Sequence, residues 1–193
     1  MEHFYTIQGE GFFSGCAAYF IRLGGCDVGC TWCDVKESWD PEKHKKYSSD
    51  QILQWIVDAK ASLCVITGGE PLMHDLSDLT LLLHKNGIQI NIETSGTSPI
   101  SGHLDWITFS PKRFKKPLPE FYAGAHELKI IVAHPNDMRW GEEFASQVSP
   151  KCHLYLQPEW SKEKEVLPKM IDFVKANPSW KISLQTHKYM GID

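Results

Sequence analysis

The sequence predicts an α/β fold: a partial barrel of parallel strands with outer helices, formed as a single domain over residues 1–193. Short apolar runs alternate with amphipathic stretches, an order typical of βαβ units in a parallel sheet. Polar segments that contain glycine follow successive apolar runs. They would therefore meet at the carboxyl ends of the strands, where parallel α/β folds bind ligands. The strand count and a length of 193 residues suit a barrel smaller than the full eight-fold one.

The individual elements follow from the apolar periodicity. Seven apolar runs are predicted to be strands: Ala17–Leu23 and residues 63–67, 88–93, 105–109, 128–132, 153–157 and 181–185. Four amphipathic stretches are predicted to be helices: residues 50–60, 76–86 and 136–147, and Glu163–Ala176. Ser49 is the predicted N-cap of the first helix, and Gly87 is predicted to end the second. The connection between Cys33 and Ser49 looks non-helical, so we expect one crossover helix to be missing there.

Charge and hydropathy exclude several classes of protein. The net charge of −4 argues against a nucleic-acid-binding surface. The short basic run at residues 112–116 is interpreted as a solvated loop face, with an anion contact as the less favoured alternative. No apolar stretch is long enough to cross a bilayer, and residues 1–5 lack the basic start and apolar core of a signal peptide. We therefore expect a cytoplasmic protein, in which close cysteines indicate a metal or redox role rather than disulfides.

Three cysteines lie close together in a glycine-rich segment: Cys26, Cys30 and Cys33, with the spacing C-x3-C-x2-C and Trp32 just before the last. Three thiolates can hold three corners of a four-iron cluster and leave one iron open to a small ligand. A zinc site would normally need four ligands. A thioredoxin-like pair of Cys30 and Cys33 would leave Cys26 unexplained. The segment therefore favours an iron–sulfur cluster with an open site, and Trp32 would shield one face of it.

The three other cysteines have a different interpretation. Cys64 lies within an apolar run and Cys152 precedes one, so both are predicted to be buried free thiols that pack as small hydrophobic side chains. Cys16 lies ten positions before the first cysteine of the cluster segment. It remains a less favoured alternative as a fourth ligand.

A second glycine-bearing segment, Gly68-Gly69-Glu70-Pro71, follows the predicted strand at residues 63–67. Glycines at the carboxyl end of a strand let the ammonium group of a ligand approach main-chain carbonyls, and Glu70 would add a charge-assisted hydrogen bond. The alternative is an ordinary strand-to-helix turn in which Pro71 begins the helix.

Together the cysteine segment and Gly-Gly-Glu-Pro resemble the radical S-adenosylmethionine (radical SAM) superfamily, which implies an incomplete TIM-like barrel. Further segments narrow the resemblance to the 7-carboxy-7-deazaguanine synthase family of the queuosine pathway. These segments are Tyr5-Thr6-Ile7-Gln8-Gly9-Glu10-Gly11, Cys33-Asp34, Ile92-Glu93-Thr94-Ser95-Gly96-Thr97, Ser110-Pro111-Lys112 and Gln185-Thr186-His187-Lys188-Tyr189. The resemblance runs from the first strand to the last few residues.

The resemblance implies a lyase that carries a [4Fe-4S] cluster and S-adenosylmethionine. It would convert 6-carboxy-5,6,7,8-tetrahydropterin to 7-carboxy-7-deazaguanine with loss of ammonia. It also implies a homodimer that receives electrons from a flavodoxin or ferredoxin. No residue is assigned as a catalytic acid or base.

The resemblance also assigns binding roles to residues of this chain. The cluster would be held by Cys26, Cys30 and Cys33. The pterin would contact Ile7, Gln8, Gly9, Arg22, Thr67, His187 and the terminal residue Asp193, with Arg22 pairing with its carboxylate. S-adenosylmethionine would contact Trp32, Cys33, Asp34, Gly69, Glu70, Ser110, Pro111, Lys112, Gln157 and Pro158. Taken one at a time, each residue favours an ordinary role: a surface ion pair for Arg22, capping of a turn for Gln8 and Glu10, and a solvent-exposed position for His187. Their joint occurrence at strand ends is what favours a binding site.

One position departs from the family pattern. The family uses Mg2+ and has threonine or serine two residues after the third cysteine, where its hydroxyl ligates the ion; here that residue is Val35. Asp34 remains as a Mg2+ ligand. Because Mg2+ prefers oxygen donors, we expect a reduced response to Mg2+.

Three other functions remain open at this level. A glycyl-radical-enzyme activase would share the cluster but act on a polypeptide through an open site. An iron–sulfur electron carrier would normally supply four cysteines. A zinc-stabilised α/β domain would contain zinc and no iron.

Overall fold

The structure, a computed structural model, describes residues 1–33 and 35–192. The chain divides into two compact units. The first comprises Met1–Thr6, Ala17–Ile107 and Pro111–Leu118. The second comprises Ile7–Cys16, Thr108–Ser110 and the chain from Pro119 onward.

The first unit holds four strands and two α-helices: β1 (Glu2–Ile7), β2 (Ala17–Leu23), α1 (Ser49–Asp58), β3 (Leu63–Gly68), α2 (Ser77–Lys85) and β4 (Gln89–Thr94). Strand β3 pairs in parallel with both β2 and β4, as expected for βαβ units. Leu23 at the end of β2 lies opposite Gly68 at the end of β3. The segments that follow these two strands therefore leave the sheet side by side. Strand β1 was not predicted from the sequence.

Helix α1 begins one residue earlier than predicted, with Ser48 rather than Ser49 as the N-cap. The Ser48 hydroxyl accepts a hydrogen bond from the Gln51 N–H at 3.3 Å, and Gln51 Oε1 accepts one from the Ser48 N–H at 3.1 Å. This reciprocal pair satisfies two donors at the start of the helix. Ile52 and Ile56 form the buried face of the helix, whereas Val57, another apolar residue of the same stretch, is exposed.

The connection between Cys33 and Ser49 contains two short 3-10 helices, Lys36–Trp39 and Pro41–Lys43. Residues 35–48 form no α-helix, which agrees with the sequence expectation.

The remaining strands and helices are β5 (Trp106–Phe109), α3 (Glu120–Gly124), β6 (Glu127–Val132), α4 (Asn136–Ala145), β7 (His153–Pro158), α5 (Glu163–Ala176), β8 (Trp180–Ile182) and α6 (Thr186–Met190). Neighbouring strands from β5 to β8 pair in parallel. Helices α3 and α6 were not predicted. The strand predicted at residues 181–185 is wrong in its second half, because β8 ends at Ile182 and Gln185 is the N-cap of α6.

The two faces of β6 differ in polarity. Leu128 and Ile130 are fully buried, and a Cβ placed on Gly141 of α4 would lie 3.0 Å from Ile130 Cγ1, so this face packs on the helix. Side chains alternate along a strand, so Glu127 and Lys129 lie on the opposite face. Both are buried, at 2% and 3% exposure. This side of β6, with its two buried charged residues, is called the inner face of the second unit below.

None of the helices formed by the described residues combines the length and the hydropathy needed to cross a membrane.

Candidate active site

The cysteine segment begins where β2 ends, and its first residues are held by main-chain hydrogen bonds. Gly25 N donates to Ser38 O at 2.6 Å, and Cys26 N donates to Trp39 O at 3.3 Å. Gly25 has a φ of 106°, a conformation that glycine adopts without strain. The 3-10 helix Lys36–Trp39, in the connection that was predicted to lack a crossover helix, thus fixes the start of the cysteine segment.

The Gly-Gly-Glu-Pro turn packs directly against this segment. Gly69 N donates to Leu23 O at 3.1 Å, and Glu70 N donates to Gly25 O at 2.8 Å. A Cβ on Gly69 would lie 2.7 Å from Cys26 Cβ, so no larger residue fits here without movement of the segment. The two motifs that the sequence singled out are therefore in contact.

The thiols of the three cysteines influence one another. Burial raises the pKa of Cys30 to about 11, against the nearby charge of Lys112, and Cys26 and Cys33 raise it further. Burial also raises the pKa of Cys26, although the backbone N–H groups of Val28 and Gly29 donate to its sulfur and oppose the shift.

The donor set fits a cluster with thiolate ligands. Three soft sulfur ligands lie on one short segment, and main-chain N–H groups point at one of the sulfurs. Among residues 1–33 and 35–192, no three His, Cys, Asp or Glu side chains are already arranged to hold a single metal ion. Because the thiols must lose their protons to bind iron, loading would release protons and draw the three sulfurs together.

Cys64 and Cys152 are buried, as predicted, and Cys16 is exposed. Burial raises the pKa of Cys152 to about 12. The thiols of Cys64 and Cys152 therefore have the character of core side chains.

The carboxylate of Glu70 is buried and accepts four hydrogen bonds from its own chain. Oε1 accepts from Thr94 Oγ1 at 2.6 Å and from Leu72 N at 3.2 Å. Oε2 accepts from Ser95 N at 2.8 Å and from Ser95 Oγ at 2.5 Å. The side chain thus ties the end of β3 to the end of β4. The predicted contact between this carboxylate and S-adenosylmethionine remains a prediction.

The basic run at residues 112–116 contacts the cysteine segment. Lys115 Nζ lies 2.6 Å from the carboxylate of Asp27, between the first two cysteines, and Lys112 Nζ lies 5.6 Å from the centre of the Trp32 ring. Trp32 also faces Phe114, with ring centres 6.4 Å apart. Two of the predicted S-adenosylmethionine contacts, Trp32 and Lys112, are therefore neighbours.

Arg22 and Thr67, both predicted to contact the pterin, are paired across β2 and β3. Arg22 Nε donates to Glu2 Oε1 at 2.5 Å, which is the ion pair foreseen as an alternative. Arg22 and Glu2 line a cavity of about 220 Å³ together with Gly24, His44 and His74.

In the second unit, the predicted pterin contacts Gln8 and Gly9 lie against α6. Gly9 O accepts hydrogen bonds from Thr186 N and Thr186 Oγ1, both at 3.0 Å. A Cβ on Gly9 would lie 2.7 Å from the backbone nitrogen of His187. Gln8 is buried, and its predecessor Ile7 ends β1. Three of the predicted residues, Gln8, Gly9 and His187, are thus brought together.

Gln157 and Pro158 form the carboxyl end of β7, and Gln157 Oε1 accepts a hydrogen bond from Ser183 Oγ at 2.8 Å. Ser110 follows β5 directly and belongs to the second unit, whereas Pro111 and Lys112 belong to the first. Two predicted site residues, Asp34 and Asp193, lie outside the described residues.

Sequence reasoning missed a buried polar cluster on the inner face of the second unit. It comprises Glu10, Lys129, Gln157, Ser183 and Gln185, of which only Gln157 had been assigned a ligand contact. A signal was present in Glu127-Leu128-Lys129-Ile130, because two charged residues two positions apart on a strand share one face.

Comparison with known proteins identifies the family. A model described as the Radical SAM superfamily matches residues 20–115. The 7-carboxy-7-deazaguanine synthase of Flavobacterium psychrophilum is 50% identical over 192 residues, which cover 100% of this chain and 91% of the relative. The synthase of Synechocystis is 47% identical over 99% of this chain and 91% of its own length.

The synthase of Escherichia coli is 36% identical over 99% of this chain and 97% of its own length. The crystal structure of QueE from Escherichia coli superposes with a TM-score of 0.82 and 35% identity over 95% of this chain and 91% of that one. This similarity confirms the predicted fold, a partial barrel of the radical SAM type. The chain belongs to the 7-carboxy-7-deazaguanine synthase family of the radical SAM superfamily.

Proposed function

We propose that the chain converts 6-carboxy-5,6,7,8-tetrahydropterin to 7-carboxy-7-deazaguanine with loss of ammonia, in 7-deazapurine biosynthesis. The observation that carries this proposal is the full-length similarity to synthases of that name, at 50% and 47% identity. Membership of the radical SAM superfamily implies a [4Fe-4S] cluster and S-adenosylmethionine. Neither a glycyl-radical activase nor an electron carrier is favoured by these relatives.

The residues of the chain would divide the work between two groups. Cys26, Cys30 and Cys33 would hold the cluster, and the main chain of Gly69 would receive the amino group of S-adenosylmethionine. Bound together, the cluster and S-adenosylmethionine would supply the carbon radical that begins the reaction on the pterin. The chain itself positions the reacting atoms and excludes water.

The pterin would be bound by the remaining predicted residues: Ile7, Gln8, Gly9, Arg22, Thr67, His187 and Asp193. Arg22 is one-fifth exposed and already pairs with a carboxylate, that of Glu2. Its guanidinium would exchange this partner for the substrate carboxylate, a bidentate contact that suits arginine.

Several finer points belong to the same proposal. Residues 1–193 would act as one radical SAM domain, and two copies would form a homodimer in the cytoplasm. An acidic flavodoxin or a ferredoxin would supply electrons. Mg2+ would bind through Asp34, substrate oxygens and water, because Val35 offers no side-chain oxygen and its carbonyl already accepts hydrogen bonds from Ser38 N and Oγ at 3.0 and 2.7 Å.

The test is anaerobic reconstitution with iron and sulfide, followed by incubation with S-adenosylmethionine, a low-potential reductant and the carboxytetrahydropterin. We expect the deazapurine chromophore and the product mass only when every component is present. Cys30→Ala should abolish product, whereas the matched variant Cys16→Ala should retain it, because Cys16 is exposed and outside the cysteine segment. Absence of product from the intact chain would contradict the proposal, and loss of activity in Cys16→Ala would restore that residue as a fourth ligand.

A further inference from the structure

The inner face of the second unit carries a buried ion pair, and neither of its residues is among the proposed ligand contacts. Lys129 Nζ lies 2.5 Å from Glu10 Oε2, and the two side chains are 4% and 16% exposed. A lysine is almost never buried this deeply without a partner. Removing either member would take from the other the opposite charge at 2.5 Å, so each member helps to hold the other in place.

The second oxygen of Glu10 extends the cluster. Glu10 Oε1 accepts a hydrogen bond from Gln185 Nε2 at 2.8 Å. Burial alone would raise the pKa of Glu10, but the charge and hydrogen bond of Lys129, with hydrogen bonds from Gln185 and Gln157, outweigh it and lower the pKa to about 2. The carboxylate therefore stays ionised at neutral pH. It is unsuited to donating a proton and suited to serving as a fixed anchor.

One element held by this anchor is the loop that contains Gln8 and Gly9. Glu10 N donates to Gln8 Oε1 at 3.0 Å, so the loop is closed on itself at this point. Gly11 N donates to Ser183 Oγ at 2.9 Å, beyond the end of β8. The conformation of residues 8–11 is thus fixed from inside the unit.

The other element is α6. Gln185, its N-cap, links Glu10 to Lys188, whose Nζ donates to Gln185 Oε1 at 3.0 Å. Thr186 donates twice to Gly9 O, as described above. The loop and the helix are therefore fastened to each other and, through Glu10 and Lys129, to β6.

We propose that Lys129 is a positioning residue for the substrate. Through Glu10 it holds residues 8–10 and the start of α6 in the single arrangement that presents Gln8, Gly9 and His187 together. The identity of the substrate rests on the proposed function. A charged pair suits this task because its hydrogen bonds fix both distance and direction, whereas apolar packing would leave the loop free to slide.

The competing explanation is that each charge merely compensates the other. Three variants separate the two: Glu10→Gln, Lys129→Met and the combined variant. Each single variant removes the charge that lies 2.5 Å from the remaining member of the pair and should therefore lower the melting temperature. The combined variant removes both charges of the pair, so its melting temperature should return to near the wild-type value. If the pair positions the loop, KM for the pterin stays raised by about tenfold in the combined variant, which corresponds to about 1.4 kcal/mol of lost binding.

A matched control uses the exposed pair Lys162 and Glu165, whose charged atoms are 3.6 Å apart. Neutralising both, as Lys162→Met with Glu165→Gln, should leave KM and the melting temperature unchanged, because exposed pairs contribute little. The milder variant Gln185→Met retains the buried pair and removes only its link to α6. It should raise KM without lowering the melting temperature by more than a few degrees.

Amide hydrogen exchange tests the inference without turnover. In the combined variant, and also in Gln185→Met, the amides of residues 8–11 and 186–190 should exchange faster than in the wild type. Those of α5 should be unchanged. If the variants exchanged faster but the wild-type chain made no product, the missing product would refute the proposed function. The faster exchange would still support the positioning role. If the combined variant or Gln185→Met kept both the wild-type KM and the wild-type exchange rates, the proposal would be overturned. The pair would then serve only to compensate two buried charges.

Discussion

Replacing Gly69 with alanine tests the contact between the two motifs of the candidate site. The added methyl group would lie 2.7 Å from Cys26 Cβ and 2.8 Å from the carbonyl carbon of Gly25. Neither atom can rotate away, because one belongs to the backbone and the other is attached directly to it. The cysteine segment must therefore shift by several tenths of an ångström, and overpacking of this kind costs about 1–3 kcal/mol.

Two quantities should change in Gly69→Ala. A loss of about 2 kcal/mol lowers the melting temperature of a chain this size by about 4–8 °C. Iron and sulfide bound per chain after anaerobic reconstitution should fall further than stability does, because the methyl group displaces the first cysteine ligand itself. Thermal unfolding followed by circular dichroism and a colorimetric iron assay measure the two effects.

Gly87→Ala is the matched control. Gly87 follows α2 and has a φ of 72°. Apart from its chain neighbours, no heavy atom of the described residues lies within 4 Å of the position of an added Cβ. The change should cost about 1–2 kcal/mol through the left-handed backbone alone and leave iron binding intact. If Gly69→Ala kept both the wild-type melting temperature and the wild-type iron content, the packing argument for the site would be refuted.

Three further predictions concern other parts of the chain. Glu70→Gln should lower the free energy of unfolding by about 1–3 kcal/mol. In either orientation of the amide, its NH2 group would face a backbone N–H, that of Leu72 or that of Ser95. An unchanged denaturation midpoint would contradict this prediction. Val35→Thr should lower the Mg2+ concentration needed for half-maximal activity, because it restores a hydroxyl ligand; equal activation curves for the two proteins would show that the position is irrelevant. The pKa of Glu10 falls from its usual 4.5 to about 2 on folding, so its contribution to stability is present above pH 4.5 and is lost as the pH falls from about 4.5 to about 2. In Glu10→Gln the free energy of unfolding should fall less steeply over that interval, and an identical slope would contradict the assignment.

Much of the site was accessible from the sequence, because its parts lie next to element ends that apolar runs mark clearly. Cys64 and Ile66 sit in a short apolar run, so β3 and the glycines after it were placed correctly. Parallel pairing of Leu23 with Gly68 then brings the cysteine segment to the Gly-Gly-Glu-Pro turn. That step needed only the rule that parallel strands end at the same edge.

The parts that were missed depend on partners far away in the chain. Ser183 and Gln185 were assigned to a strand, but their side chains bond to Gln157 and Glu10, and β8 ends early. Lys129 gives no sign in the sequence that its partner lies 119 positions earlier. Local periodicity reports burial and cannot report which buried charges meet.

The most direct test of the account is Mössbauer spectroscopy of chain reconstituted anaerobically with iron-57, recorded with and without S-adenosylmethionine. Three cysteine ligands predict one iron whose signal differs from the others and shifts when S-adenosylmethionine is added. Four equivalent irons that do not respond to S-adenosylmethionine would contradict the central claim that one coordination position is left open.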